Sequence, residues 1–235
     1  MNVIILAGGF GTRLQSVING LPKPMAPVGR RPFLEYLLDN LKKNGFYNFI
    51  FCLHYLAEKV KAHFSDGSKF GVRINYSLEE EPLGTAGAIG LLRDRFDDAF
   101  CVVNADTYLE INVQDFIAQH EKRQAFATMA LVRVCNPERY GQVGLDDRWR
   151  VTGFTEKGQS QIRDGYINAG FYLFDPEVFT YIPANKFVSL EKDVFPAMLK
   201  KGEKVYGYPH VANFFDVGIP QDYFKFCRWV ASGQP

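Results

Sequence analysis

Val3-Ile4-Ile5-Leu6-Ala7-Gly8-Gly9-Phe10-Gly11-Thr12-Arg13-Leu14, with Pro22-Lys23-Pro24-Met25 shortly after, is the stretch from which the rest of the chain is read. An apolar run of strand character enters a loop rich in glycine, where backbone amides lie open to an anion without side chains in the way. Arg13 and then Lys23 bring positive charge to the same place. Two better-known phosphate loops are excluded by spacing. No Gly-Lys pair follows Gly8 and Gly9 as a Walker A loop requires, and the sequence that begins Gly9-Phe10-Gly11 reaches Leu14 where a dinucleotide fingerprint needs its third glycine. The combination suits a nucleoside triphosphate attacked at its α-phosphorus.

Working outward, short apolar runs alternate with helical patterns through the first half. Strands are expected at Val3–Leu6, Asn48–Leu53, Arg73–Ser77 and Ala99–Asn104. Pro32 suits a first helical turn, and Phe33, Leu34, Leu37, Leu38 and Leu41 form a stripe of helical period that stops at Gly45. Further helices are expected at Ala57–Phe64 and Thr85–Leu92. This order predicts an α/β fold: a mostly parallel sheet with helices on both faces. Such sheets bind ligands beyond the carboxyl ends of their strands, and Leu6 and Asn104 both end strands, so the glycine loop and Asp106 share one rim.

Beyond about residue 125 the texture turns to strands and turns, at Phe126–Val134, Gln142–Leu145, Arg150–Phe154 and Tyr166–Phe174, with late helices near Leu190–Lys200 and Pro220–Ala231. No flexible linker or repeat interrupts the chain. The economical reading is one domain over residues 1–235, with a nucleotide half to about residue 125 and a mixed-β, sugar-facing half after it.

Composition narrows the partners. A net charge of +1 provides no general polyanion affinity and argues against a nucleic-acid binder. The scattered cysteines Cys52, Cys101, Cys135 and Cys227 form no C-x-x-C pair, and the first two sit in apolar runs typical of a reducing compartment. The N-terminal run lacks a basic flank and ends at Gly8, unlike a leader peptide, and no stretch approaches the roughly 20 apolar residues of a membrane span. A soluble, cytoplasmic protein is expected, with no membrane partner. The oligomeric state is not readable from the sequence. His54, His63, His120 and His210 do not cluster, so neither zinc nor a histidine base is indicated.

Gly8-Gly9-x-Gly11-Thr12-Arg13-Leu14 with Pro22-Lys23-Pro24-Met25 resembles the sugar-1-phosphate nucleotidyltransferases, and the likeness runs from Val3 to about Phe226. It implies a Rossmann-like fold, Mg2+ as cofactor, and a nucleoside triphosphate and a sugar 1-phosphate as substrates. Nucleotidyl transfer asks little covalent help of a protein. It needs two repelling anions aligned and the transition-state charge neutralised, by cations and by magnesium held on one or two carboxylates.

The resemblance implies Asp106, in Val102-Val103-Asn104-Ala105-Asp106-Thr107, as a metal ligand, with Ala105 replacing the family's usual glycine. Asp216, in Phe214-Phe215-Asp216-Val217-Gly218-Ile219-Pro220, is the implied second ligand, with Ile219 where threonine is usual. A helix cap is the plainer reading of Asp216, although Asp222 lies nearer the helix starting at Pro220. Arg13 is implied on the triphosphate and the incoming phosphate, and Lys23 on the phosphates at the reacting centre. A guanidinium fork suits bridging, whereas an ammonium acts as a point charge. Leu6, Ala7, Gly8, Gly9, Gly11 and Thr12 complete the phosphate loop.

Base recognition is expected in Glu79-Glu80-Glu81-Pro82-Leu83-Gly84-Thr85-Ala86-Gly87, which is similar to the guanylyl-transferring members. Glu81 is assigned to the guanine N1–H and N2–H donors, with Gly84 and Thr85 beside it. The alternative for three successive glutamates is a solvated charge run. Tyr140, Gly141, Glu156, Lys157 and Asn168 match positions that line the sugar-phosphate pocket in relatives.

Gln15-Ser16-Val17, Ser189-Leu190-Glu191-Lys192-Asp193 and Phe215 to Pro220, with the short length and no β-helix repeat, look most like the bacterial D-glycero-α-D-manno-heptose 1-phosphate guanylyltransferases. GTP and that heptose phosphate are then the expected substrates. Mannose-1-phosphate guanylyltransferases come next, then uridylyl and thymidylyl enzymes. A non-catalytic nucleotide-sugar sensor is the alternative of another class, but such a protein has no need to keep Arg13, Lys23, Asp106 and Asp216 together.

Overall fold

A computed structural model describes residues 1–135, 141–155 and 164–233. Strand β1 (Asn2–Leu6) enters the glycine loop, a single turn at Thr12–Leu14 and the short helix α1 (Gln15–Ile18). A turn at Lys23–Met25 leads to a small hairpin, β2 (Pro27–Val28) and β3 (Arg31–Pro32), and to α2 (Phe33–Lys43). Then follow β4 (Asn48–Leu53), α3 (Ala57–Phe64), β5 (Arg73–Leu78), α4 (Gly84–Gly90), β6 (Phe100–Asn104), β7 (Thr107–Ile111) and α5 (Val113–Arg123). The second half holds β8 (Ala127–Cys135), β9 (Gln142–Leu145), β10 (Val151–Thr155), β11 (Asp164–Phe174), α6 (Phe195–Lys201), β12 (Val205–Tyr208), β13 (Val211–Asp216) and α7 (Pro220–Ala231).

The main sheet has the order β10-β9-β11-β6-β1-β4-β5, with β8 paired to β11 and β12 to β8. β6, β1, β4 and β5 run parallel, while β11 joins β6 antiparallel and so carries the sheet into the second half. The mostly parallel α/β expectation therefore holds, with a mixed wing in which β8, β9, β10 and β11 pair antiparallel and β12 joins β8 parallel.

β1 lies in the middle of this sheet, and Val3, Ile4 and Ile5 are fully buried, as a strand covered on both faces requires. Alternation divides the core in two. Val3 and Ile5 face Leu34, Leu37, Leu41, Phe51 and Phe171, whereas Ile4 faces the other way with Val102, Ile89, Tyr172 and Phe195. A third cluster of Leu14, Phe33, Tyr108, Val217 and Phe226 joins the glycine loop to α7 and the separate β7–β13 ribbon. Leu14 and Val217 thereby anchor the chain directly beside Arg13 and Asp216.

Several boundaries differ from the sequence reading. Pro32 stands in extended conformation (φ −70°, ψ 152°) just before α2, where its ring blocks a helical hydrogen bond on neither side. The 190–200 helix begins as a wider π-type coil over Leu190–Val194, closed by the Ser189 hydroxyl accepting from the Lys192 amide. The β7–β13 ribbon, β12 and α5 were not anticipated. Among the described residues no helix is long and apolar enough to cross a membrane.

Candidate functional site

Paired in register, Leu6 lies beside Asn104, and the Ala105 amide continues the ladder by donating to the Leu6 carbonyl at 3.1 Å. The expected shared rim thus exists. Ala105 is buried in the first core and also borders the first cavity, so the methyl that replaces the family's glycine sits at the wall of the ligand space.

Gly11 adopts φ +60°, a conformation costly for a side chain, and a Cβ there would come within 2.8 Å of the Lys23 Cβ. The glycine lets the loop lie directly on the lysine stem. Lys23 is 9% exposed, and its Nζ donates to the Asp106 carboxylate. Asp106 sits in the tight turn between β6 and β7, and its carbonyl accepts from the Val217 amide at 2.9 Å. Asp216, at the end of β13, pairs in register with Thr107, so the β7–β13 ribbon brings the two acids together.

The Gly218 amide donates to Asp216 Oδ1 at 2.8 Å. Burial and the neighbouring Asp106 charge raise the Asp216 pKa, with the Gly218 amide, Lys23 and Arg13 opposing them. A Cβ at Gly218 would stand 2.6 Å from Asp216 Oδ1, 3.0 Å from Lys23 Nζ and 3.4 Å from an Arg13 guanidinium nitrogen. Three of the four expected charged residues therefore converge on one spot that only a glycine leaves open.

Two cavities meet here. One, of about 450 Å³, is lined by Leu6, Ala7, Gly8, Gly9, Gly11, Thr12, Arg13 and Lys23 together with Glu79, Pro82, Gly84 and Thr85, and Glu79 Oε1 lies 2.6 Å from where a Cβ on Gly8 would stand. The second, of about 510 Å³, is lined by Gly141, Thr155, Asn168, Ser189, Glu191, Lys192 and Asp216, among others. Arg13, Asn104 and Asp106 line both. Such volumes are those of small-molecule sites. Asn168 is fixed at both ends, donating to the Tyr172 hydroxyl at 2.7 Å and accepting from the Gly170 amide at 3.0 Å. The Thr85 hydroxyl donates to Glu191 at 3.2 Å and accepts from the Leu190 amide at 2.8 Å, which ties the two cavity walls together.

Glu81 is not brought to either cavity. It is exposed, and the carboxylate on the wall of the first cavity belongs to Glu79. The physical reason is local. The Glu79 amide extends the sheet by donating to Leu53 O at 2.9 Å, and its Oε2 accepts from the Leu83 amide at 2.9 Å, which turns the side chain inward. Burial raises the Glu79 pKa, against the Leu83 amide and His54. Tyr140, Glu156 and Lys157 lie outside the described residues. Glu79, Asn104 and Gly218 were missed as lining residues, and Ser189, Glu191 and Lys192 were read only as marks of resemblance. Among the described residues no group of three or more His, Cys, Asp or Glu is placed to hold a metal.

Residues 2–232 match the Nucleotidyl transferase family. The chain belongs to that family. It is 38% identical to the D-glycero-α-D-manno-heptose 1-phosphate guanylyltransferase of Aneurinibacillus thermoaerophilus, covering 96% of each chain. It is 37% identical to the mannose-1-phosphate guanylyltransferase of Mycobacterium tuberculosis, covering 96% of this chain but 63% of that longer protein. The crystal structure of HddC from Yersinia pseudotuberculosis superposes with a TM-score of 0.86 at 32% identity, covering 97% of this chain and 99% of HddC. HddC complexed with GMP-PN gives a TM-score of 0.85.

Proposed function

We propose that this protein transfers GMP from GTP to D-glycero-α-D-manno-heptose 1-phosphate, releasing pyrophosphate and GDP-heptose. The observation that carries the reading is the pair of cavities that share Arg13, Asn104 and Asp106. A triphosphate in the first cavity and a sugar phosphate in the second then meet where Arg13, Lys23 and the two acids converge. The sugar-phosphate oxygen attacks the α-phosphorus, the bond to the β-phosphate oxygen breaks, and pyrophosphate leaves with the electron pair. Arg13 lines both cavities and its planar fork suits anions on both sides, while Lys23 adds a point charge at the glycine loop.

Asp106 and Asp216 fit a hard divalent cation such as Mg2+. Their donors are carboxylate oxygens, and the Asp106 charge raises the pKa of Asp216, a repulsion that a cation relieves. When bound, the ion supplies charge neutralisation at the phosphates. Glu79 supports the guanine preference, since a carboxylate accepts from both N1–H and N2–H, donors that adenine and the pyrimidines do not present together. The near-complete, end-to-end match to the heptose enzymes supports the sugar. Mannose 1-phosphate is the second reading, supported by the mycobacterial relative.

The test is pyrophosphate release from four nucleoside triphosphates crossed with heptose, mannose and glucose 1-phosphates. GTP with the heptose phosphate should be fastest, and mannose 1-phosphate should trail by about ten- to two-hundredfold in kcat/KM, the usual scale for a missing carbon and hydroxyl. Preference for a pyrimidine nucleotide, or for mannose, would overturn the corresponding half.

A further inference from the structure

Phe187 is 70% exposed, the highest value among the large apolar side chains described as exposed. It lines the first cavity and is absent from the lining of the second. Its position is set by main-chain bonds. The Val188 amide donates to Leu83 O at 2.8 Å, and the Val188 carbonyl accepts from the Ala86 and Gly87 amides at 2.9 and 3.2 Å. The segment is thereby tied to the loop that follows Glu79. The ring tip lies 3.3 Å from where a Cβ on Gly84 would stand, against the start of α4. An aromatic ring left this open to water forgoes its burial energy, and here the backbone beneath it is held in place rather than free to fold the ring away.

We infer that Phe187 supplies the apolar face on which the nucleobase stacks. The inference rests on the proposed use of a nucleoside triphosphate, and it adds a division of labour at the base. The ring attracts any base through its π-face, whereas the Glu79 carboxylate on the same wall discriminates among them. Phe187 has no polar atom with which to choose, and it lines the first cavity but not the second.

The experiment uses the full chain. Phe187→Ala should raise KM for the nucleoside triphosphate by about tenfold, at the lower end of base–aromatic stacking because the ring is open on one side. Turnover and KM for the sugar phosphate should stay within about twofold, and Phe187→Tyr should restore the parent value. In Phe187→Trp, emission above the Trp149 and Trp229 background should be quenched by GTP but not by inorganic tripolyphosphate or the sugar phosphate. Because stacking tolerates every base, the Phe187→Ala effect is read on whichever triphosphate the protein uses, so a UTP preference would sink the guanylyl reading and leave this one standing. An unchanged nucleotide KM in Phe187→Ala, or quenching by tripolyphosphate alone, would overturn it.

Discussion

Placing a methyl at Gly218 perturbs the charge cluster and almost nothing else. Gly218 is not among the residues with positive φ, so Gly218→Ala introduces no backbone strain. The new carbon would start 2.6 Å from Asp216 Oδ1, whereas ordinary contact begins near 3.4 Å, so the carboxylate must retreat by most of an ångström. That movement breaks the 2.8 Å bond from the Gly218 amide, and the 3.0 Å approach to Lys23 Nζ pushes the ammonium aside as well. A charge-assisted hydrogen bond contributes about 1.5–3 kcal/mol, and misplacement by an ångström near a reacting centre costs about a hundredfold in rate. We expect turnover to fall about a hundredfold in a coupled pyrophosphate assay at saturating substrates. The thermal midpoint should move by no more than a few degrees, because the residue contributes no apolar burial. Turnover within threefold of the parent would refute the idea that the acids and cations are held in fixed mutual contact. A midpoint that collapsed would show that the residue serves the fold instead.

Three further outcomes follow from the same geometry. Asp106→Asn keeps volume but removes a charge from both cavities, and turnover should drop on the order of a hundredfold or more with the fold intact by circular dichroism; near-parent magnesium-dependent turnover would remove Asp106 from the centre. Glu79→Gln should raise KM for GTP by about ten- to a hundredfold while Glu81→Gln stays within twofold, and the reverse pattern would restore Glu81 as the base carboxylate. His120 is buried with Nδ1 2.9 Å from the Thr128 hydroxyl, and burial pushes its pKa down from 6.5 to about 4. Its contribution is therefore present above pH 6.5 and lost as pH falls toward 4, by roughly 3 kcal/mol when fully developed. Urea midpoints of the parent and His120→Gln at pH 7 and pH 4.5 check this, and parallel losses in the two proteins would exclude His120 as the source.

The legible parts of the fold were those in which burial leaves a periodic trace. Asn48–Leu53, Ala57–Phe64, Gln142–Leu145 and Pro220–Ala231 stand where the pattern puts them, because each buries apolar side chains in a periodic pattern. α5 was missed despite a readable signal: Val113, Phe116 and His120 recur at helical spacing, and the Asn112 side chain caps the start by accepting from the Asp115 amide. The β7–β13 ribbon left no comparable signal, since Val211–Asp216 is half-exposed and its partner lies a hundred or so residues earlier in the chain. In the site, the glycine loop was legible because its chemistry is written in consecutive residues. Glu79 was not, because three successive glutamates look alike until the Leu83 amide chooses one of them.

The central position of β1 has a consequence for how the molecule comes into being. Its first neighbour, β4, is made early, but its other edge is closed only by β6, whose residues Cys101 to Asn104 pair with Val3 to Leu6. Until then this apolar central strand presents an open edge, the template on which chains aggregate. Lys23 and Asp106 are 83 residues apart, and Asp216 is made later still. Contacts of such sequence separation form slowly, because loop-closure entropy is lost before the pairing compensates for it. The same long closures that gather the charges at one point therefore make the nascent chain vulnerable during synthesis, and refolding yields should fall steeply with protein concentration while β1 waits for β6.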